Sequence, residues 1–415
     1  MTNKEKESKN NKSSISVFFD EVSRSSWLVP ILAIFSGLLV GGLIVMFTTD
    51  EMYILIGDGQ IFEGLSLGFR AMVDSFVALF TGSFGSPTKI IAALQSGDDL
   101  LIRRAFNPFL ESFVASTPYI FAGLAVALGF KTGLFNIGAE GQLFMGAIFS
   151  VWVGFAVKGL PAIIHIPLAL LAGALGGAIW GFIPGWLKAK TGAHEVINTI
   201  MMNYVAFRLS EYLLRGPLMR PETFTPVSPM ILESAELPRF FESPIRFHLG
   251  FFIALFVAWL VYWFMFKTKW GFDLRTVGAN PRAAKYAGMN IVRSTILAMV
   301  LSGALAGLAG ANEVLGVNHN LALAFSSGYG FDAIALALLG KSHPFGVVLS
   351  AILFGFLRNG AIRMQIVGIP VDIITIIQAM VIIFIAAPAI VRSIYRLKEP
   401  KESDEQTFVT SWGAN

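Results

Sequence analysis

Cysteine is absent from the 415 residues, which excludes disulfides and thiolate metal sites and leaves the redox compartment open. Charge is scarce. Asp, Glu, Lys and Arg make up 14% of the chain, where a soluble domain carries roughly 25%. Histidine is scarce too, with five residues that form no metal-ligand set. What fills the chain instead is apolar. Hydrophobic residues account for 55%, in recurring runs of about 20 residues, each enough to cross a ~30 Å hydrocarbon core as a helix. Glycine is abundant, at 41 residues, as in membrane helices that pack backbone to backbone. These features define an all-α polytopic membrane protein. The formal net charge of +4 comes from basic loops beside the spans, with no nucleic-acid-binding patch.

Two short motifs come near catalytic signatures and fall short. LLGKSHPFG ends like a phosphate-binding P-loop at Gly340, Lys341 and Ser342, but Ala335 stands where a glycine is required and no strand precedes it. HEVIN, residues 194–198, begins like a zinc-binding HExxH helix, but its fifth residue is Asn198. No Ser–His–Asp spacing stands out. The chain reads as a non-enzyme with no cofactor of its own.

Residues 1–27, beginning MTNKEKESKNNKSS, have the composition of a disordered tail. The segment 28–47 is too long and uninterrupted for a signal-peptide core and reads as a retained first span. Ten spans are expected within a permease domain at 28–391, at about 28–47, 108–130, 134–157, 162–187, 194–214, 249–267, 294–316, 329–342, 344–362 and 370–391. The eighth is short, either a half-helix or one arm of a re-entrant pair with the ninth. Residues 48–107 are broken by Glu63, Arg70 and Asp74 and fit an interfacial amphipathic segment on the outer face better than a buried span. Basic residues concentrate in the N-terminal tail, in the 188–193 turn, in the 268–293 loop and in the tail at 392–415. Ten spans place all four in the cytoplasm, as the positive-inside rule demands, with both termini inside and the 215–248 loop outside. AGALGGAIWG at 172–181 is echoed by SGALAGLAGA at 302–311, two small-residue helix faces that would suit duplicated halves of a transporter.

The basic loop holds RTVGANPRAAKYAGMN, residues 275–290. Asn280 suits an N-cap, Pro281 the first helical position and Gly288 a left-handed stop. The RAAKYA between them makes about two turns, too short to persist alone in water. Such a helix needs something to hold it, either the bilayer headgroups or a cleft in a separate motor protein.

GLFNIGAEGQ, HEVINTIMMNY, this loop and GFDAIALALLGKSHPFG occur in that order. Together they resemble the ABC-importer permeases of the branched-chain amino acid, ribose and nucleoside group, and within it the nucleoside (guanosine or general nucleoside) branch. The resemblance covers about residues 105–391. It implies a fold similar to vitamin-B12-type (type II) importer permeases and a place in a bacterial cell membrane. It also implies a second related permease subunit, cytoplasmic ABC ATPases that use ATP and Mg, and an extracellular lipid-anchored binding protein that delivers a nucleoside. Under the resemblance, Gly278–Gly288 is the coupling helix, with Arg275, Gly278, Asn280, Pro281, Arg282, Lys285, Tyr286 and Gly288 serving the ATPase contact. Sugars and branched-chain amino acids are the alternative cargoes. An ion-coupled secondary transporter, which also places polar groups at the midplane, is the alternative class.

A carboxylate at the bilayer centre costs at least ~2.5 kcal/mol. Glu140, in GLFNIGAEGQLFMGA at 133–147, must therefore face the bundle interior, find a partner or sit near an interface. On a helix Asn136 and Glu140 are four apart and share a face, while Gln142 points elsewhere. One reading has Asn136 and Glu140 lining a translocation path, with Glu195, Asn198 and Asn203 of the fifth span as neighbours. The other has Glu140 capping a half-helix or bridging to another span, because Gly133 and Gly138 point to a broken backbone. Asp332, in GYGFDAIA, either caps the eighth span or joins the path. Glu313, Asn318 and His319 form a gate or ordinary interface polarity, and Phe121, Phe130, Phe135 and Phe144 read as core packing.

Overall fold

The computed structural model describes residues 28–397 except 222 and 324, so the expected tail at 1–27 and the tail beyond 397 lie outside the described residues. Among the described residues every extended regular element is helical, the form in which an apolar segment satisfies its own backbone groups in lipid. The chain opens with α1 (Leu28–Phe47), α2 (Asp50–Gly57), α3 (Ile61–Phe84), α4 (Pro87–Ser96) and α5 (Asp99–Lys131). After a break come α6 (Ala139–Ala156), α7 (Ala162–Thr191) and α8 (Glu195–Arg215). A long loop leads to α9 (Gly250–Lys267), α10 (Lys269–Ala279), the short α11 (Pro281–Tyr286) and α12 (Ile291–Asn312), which runs on as a π-helix over Glu313–Asn318. The chain closes with α13 (Tyr329–Leu339), α14 (Pro344–Ile366), α15 (Val371–Ala386) and α16 (Pro388–Ile394).

Eight of these are long and apolar enough to cross a membrane, namely α1, α3, α5, α6, α7, α9, α12 with its extension, and α14. The α15–α16 pair, bent by 85°, makes a ninth if it is one broken span. Several expected boundaries change. The interfacial segment expected at 48–107 is instead a set of helices in which α3 runs 24 residues without a break. Glu63, Arg70 and Asp74 all precede Ser75, so SFVALFTGSF at 75–84 is free of charge. Helix α5 begins at Asp99 and not near 108, because the Asp98 side chain caps it by accepting from the Leu101 amide at 3.0 Å. The span expected at 194–214 is a full-length helix, α8, but Arg208, Glu211 and Arg215 pair along its second half and it is not among the eight. The short eighth span is the 11-residue α13.

Among the described residues, 28–73 and 370–397 form one compact unit, and residues 74–369 form another. In the first, α15 packs on α1 so closely that a Cβ on Gly37 would lie 2.5 Å from the Val381 Cα. Ser36 and Tyr395 meet there at 2.9 Å, beside a small core of Val29, Ala33 and Val391.

In the second unit α5 is the buried axis. Pro108 and Pro118 interrupt its ladder, and the Pro108 carbonyl is satisfied by the Asn359 amide of α14 at 2.8 Å and the Ser112 hydroxyl at 3.0 Å. Around it, α6, α7 and α12 pack through bare backbone. The two sequence echoes, 172–181 and 302–311, lie on α7 and α12 and face each other. A Cβ on Gly173 would meet Ala311 Cβ at 2.6 Å, one on Gly177 would meet Gly307 Cα at 2.8 Å, and one on Gly303 would meet the Gly177 carbonyl. Pairs running 173 with 311 and 177 with 303 and 307 make the crossing antiparallel.

The loop before α9 closes one end of this unit, with the Leu232 amide donating to the Gly154 carbonyl and the Leu237 amide to the Leu315 carbonyl, both at 2.9 Å. Arg246 of the same loop pairs with Glu111 of α5. From Glu111 to Lys131, α5 rises about 30 Å, the thickness of a hydrocarbon core.

Overfilling the α7–α12 contact should cost about 1–3 kcal/mol. Gly303→Leu is expected to lower the thermal midpoint of the detergent-solubilised protein by several degrees, whereas Leu175→Ala, on the exposed face of α7, should not. Equal midpoints for Gly303→Leu and wild type would show that the backbones do not touch there.

Candidate functional site

The site grows from the break between α5 and α6. Thr132 and Gly133 end α5 with a turn in which Gly133 takes a φ of +71°, a conformation open to glycine. The chain then runs irregularly to Gly138, and irregular backbone at membrane depth requires protein cover. Asn136 provides much of it. Its Oδ1 accepts from the Gly138 amide at 2.9 Å, while its Nδ2 donates to Gln142 Oε1 at 2.9 Å and to Ser302 Oγ at 2.8 Å. Ser302 in turn donates to the Ala125 carbonyl at 2.6 Å, tying the break to both α12 and α5. Asn203 of α8 bridges the other side, donating to the Ile137 carbonyl at 2.9 Å and accepting from the Gly141 amide at 2.8 Å.

Glu140 lies in the first turn of α6 and is 2% exposed. Its Oε2 accepts from the Gly330 amide at 2.6 Å, satisfying one of the orphan donors at the start of α13. A Cβ on Gly330 would lie 2.5 Å from the Glu140 Cα, so α6 and α13 begin against each other. Two helix N-termini thus converge on one carboxylate, where their partial positive charges favour an acid.

One turn along α13 the character changes. Asp332 Oδ2 accepts from the Tyr119 hydroxyl at 2.8 Å and lies 3.8 Å from Arg358 Nη1. Arg358 also donates to the Tyr119 hydroxyl at 2.7 Å, and its guanidinium sits 4.8 Å from the centre of the Tyr329 ring. The two tyrosine rings meet edge to face at 5.0 Å. Both tyrosines are buried, whereas the Asp332 side chain is 41% and the Arg358 side chain 25% exposed. Tyr119 stands eight residues beyond Glu111, about 12 Å into the span. A carboxylate, a guanidinium and two aromatic rings are therefore gathered well inside the apolar layer, with the charged groups reachable. The charged groups can exchange hydrogen bonds with a neutral polar solute.

At the far end of α5 the basic loop forms a separate device. Asn280 caps α11 by accepting from the Ala283 amide at 3.0 Å, Pro281 opens the helix, and Gly288 follows with a φ of +79°. Within α11 only Ala284 is buried, while Pro281, Arg282, Lys285 and Tyr286 are exposed, Tyr286 at 95%. Arg275 binds back onto the last turn of α9, donating to the Met265 carbonyl at 2.9 Å and stacking on Phe266. Gly278 presses on the break itself, since a Cβ there would lie 2.6 Å from the Lys131 carbonyl and 2.8 Å from the Gly133 amide nitrogen.

The structure therefore rearranges the expected path. Asn136 precedes α6, so the helix face expected to join it to Glu140 does not exist, and Gln142, expected to point elsewhere, is its partner. Asn203 does join the break. Glu195 does not: it pairs with Lys188 at 2.8 Å, at the turn between α7 and α8. Asn198, one turn into α8, is half-buried. Asp332 is separated from the Glu140 cap and belongs to the tyrosine–arginine cluster. Glu313 is buried with Asn318 Nδ2 at 3.4 Å, and Phe144 packs between Phe207 and Phe325. Sequence reasoning misses Arg358, Tyr119 and Tyr329. The signal for Arg358 was present, because an arginine inside an apolar span marks a functional site by default.

The fold and the site are those of a polytopic helical permease core. The family described as branched-chain amino acid transport system / permease component matches residues 109–386, and the chain belongs to it. It is 40% identical over 375 residues to the guanosine ABC transporter permease protein NupP of Bacillus subtilis (strain 168), covering 89% of this chain and 95% of that one. The nucleoside ABC transporter permease protein NupB of Lactococcus lactis subsp. cremoris (strain MG1363) is 32% identical over 372 residues, 88% of this chain and 92% of that one. The glucose ABC transporter permease protein TsgB13 of Haloferax volcanii is 37% identical over 349 residues, 77% of this chain and 90% of that one. No solved structure matches the chain.

Because Glu140 acts as an acceptor, toward the Gly330 and Gly328 amides and Ser326, Glu140→Gln keeps an acceptor and should melt within a few degrees of wild type. Glu140→Ala leaves a buried amide unpaired, at a cost of about 1–3 kcal/mol, and should melt lower. The reverse order in detergent melts would overturn the capping role.

Proposed function

We propose that this chain is a permease subunit of an ATP-driven importer of nucleosides and forms part of the path across the cell membrane. One observation carries the reading: a partly exposed carboxylate and guanidinium, Asp332 and Arg358, are held against two buried tyrosines well inside the span of α5, in a chain whose relatives over most of its length include permeases for guanosine and nucleosides. A nucleoside combines a flat base with a hydroxylated sugar. Asp332 accepts from ribose hydroxyls and Arg358 donates to base carbonyls, and the rings of Tyr119 and Tyr329, buried in this state, meet the base only when the transporter changes conformation.

In this reading ATP and Mg belong to a separate ABC ATPase that docks on the exposed face of α11. Closure of the motor moves α11 and α10, and Gly278 passes that movement to the break at Lys131–Gly133 and so to the site that Asn136 and Glu140 brace. A second related permease completes the path, and an external lipid-anchored binding protein delivers the cargo. The concentration of Lys and Arg beside α11 supports a cytoplasmic position for that end of the permease. A second reading, sugar import, is favoured by the Haloferax volcanii relative. The two share the Asp332–Arg358 chemistry toward hydroxyls and differ in what the tyrosine rings would stack against.

Cells lacking the gene should lose uptake of radiolabelled nucleoside, and the wild-type gene should restore it. Unlabelled nucleosides should compete, and ribose, glucose and leucine should not. Undiminished uptake in the deletion would sink the cargo assignment, and competition by glucose alone would move it to the second reading. The exposed pair Arg282→Glu with Tyr286→Ala should abolish uptake and ATPase co-purification while permease abundance stays constant. Uptake that survives this change and collapses with the proton gradient would instead make the chain an ion-coupled transporter.

A further inference from the structure

Away from both the tyrosine–arginine cluster and the exposed face of α11, a cavity of about 640 Å³ opens where α7 ends and α12 begins. Its polar rim is cationic. Lys190, in the last turn of α7, and Arg293, in the first turn of α12, both line it and are exposed. Neither has a carboxylate partner among the described residues. The Arg293 guanidinium is held 4.3 Å from the centre of the Trp270 ring, which lines the same cavity from α10. Below the rim the wall is purely aliphatic, with Val292 and Ile296 one turn apart on α12 and Leu297 beside them. The pocket thus changes from two positive charges to hydrocarbon within one helical turn.

We propose that this cavity is a specific site for an anionic glycerophospholipid. Its phosphate lies between Lys190 and Arg293, and an acyl chain runs along Val292, Ile296 and Leu297. Three features select this ligand. The uncompensated positive pair calls for an anion, and basic pockets between spanning helices at this level suit anionic lipid heads. Trp270 has the amphipathic ring that settles at the headgroup level. The aliphatic wall belongs to the first two turns of the spanning helix α12 itself. The consequence is mechanical. Trp270 is on α10, the helix whose last turn carries Gly278, so a lipid seated there braces the element that touches the break. The site stands independently of which cargo the permease moves.

The test uses the intact transporter complex in bilayer nanodiscs of phosphatidylcholine alone or with phosphatidylglycerol, followed by native mass spectrometry of the lipid retained after release. The wild type should retain phosphatidylglycerol in preference to phosphatidylcholine. Lys190→Gln with Arg293→Gln should reduce that preference roughly tenfold or more, as expected for two basic groups at a membrane surface. Both residues are exposed, so the melting temperature in phosphatidylcholine should not change. Arg293→Lys keeps the charge but loses the flat stack on Trp270, and should retain an intermediate preference. Equal retention of the two lipids by wild type would overturn the proposal, as would an unaltered preference in the double variant. Displacement of the lipid by inorganic phosphate alone would show an anion site without lipid specificity and would also overturn it. If ATPase co-purification is lost in the double variant while lipid retention is unchanged, the cavity belongs to the motor and not to lipid.

Discussion

The second unit of this protein depends on the contact of bare backbone between α7 and α12. In lipid there is no hydrophobic drive to push helices together, so close van der Waals approach has to supply the cohesion. Gly173, Gly177, Gly303 and Gly307 let the two helices come so near that any side chain between them would collide. The same stripe on α12 receives α6, where a Cβ on Gly146 would meet the Gly307 backbone. Three helices are thereby locked side by side. This brings Ser302 to Asn136, and from there the remaining hydrogen bonds of the break follow.

The break shows how a membrane protein maintains irregular backbone where water is excluded. Asn136, Gln142, Ser302 and Asn203 come from separate segments and satisfy the donors and acceptors that a continuous helix would have paired internally. Glu140 does the same for α13 and offsets two helix dipoles at once. The arrangement leaves a fully buried structural layer beside a second cluster, in which Asp332 and Arg358 are partly exposed and Tyr119 and Tyr329 are buried. It also leaves the break in direct contact with Gly278, so the apolar interior and the exposed α11 are mechanically adjacent even though they lie far apart in sequence.

Much of this was legible before the fold was known. The capped, two-turn α11 followed from Asn280, Pro281 and Gly288 because capping is local chemistry, decided within a few residues of chain. The short α13 was visible from the length of its apolar run, although no side chain caps it. The path was less legible. Asn136 and Glu140 looked like neighbours on one helix only because the helix was assumed to extend across Gly138. Glu195 looked like a path residue because nothing in the chain announces that Lys188, across a turn, will reach it. The charges of α3 looked disruptive because their position, all ahead of an uncharged last ten residues, depends on where that helix starts and ends.

By itself the sequence determined that the chain lives in a bilayer, that it is helical, where most of its helices lie, and that its polar loops end in a short exposed helix. These properties depend on composition, period and caps, which act over one or two turns. Only the tertiary structure decided which polar groups meet. The two glycine-rich echoes turned out to be the two sides of one contact. The carboxylate at Glu140 became a buried cap, and the accessible chemistry passed to Asp332 with Arg358, Tyr119 and Tyr329, drawn from three helices. The physical reason is that burial and pairing of a side chain depend on how closely distant helices approach, and that distance is set by backbone packing at glycine, not by any property local to the residue.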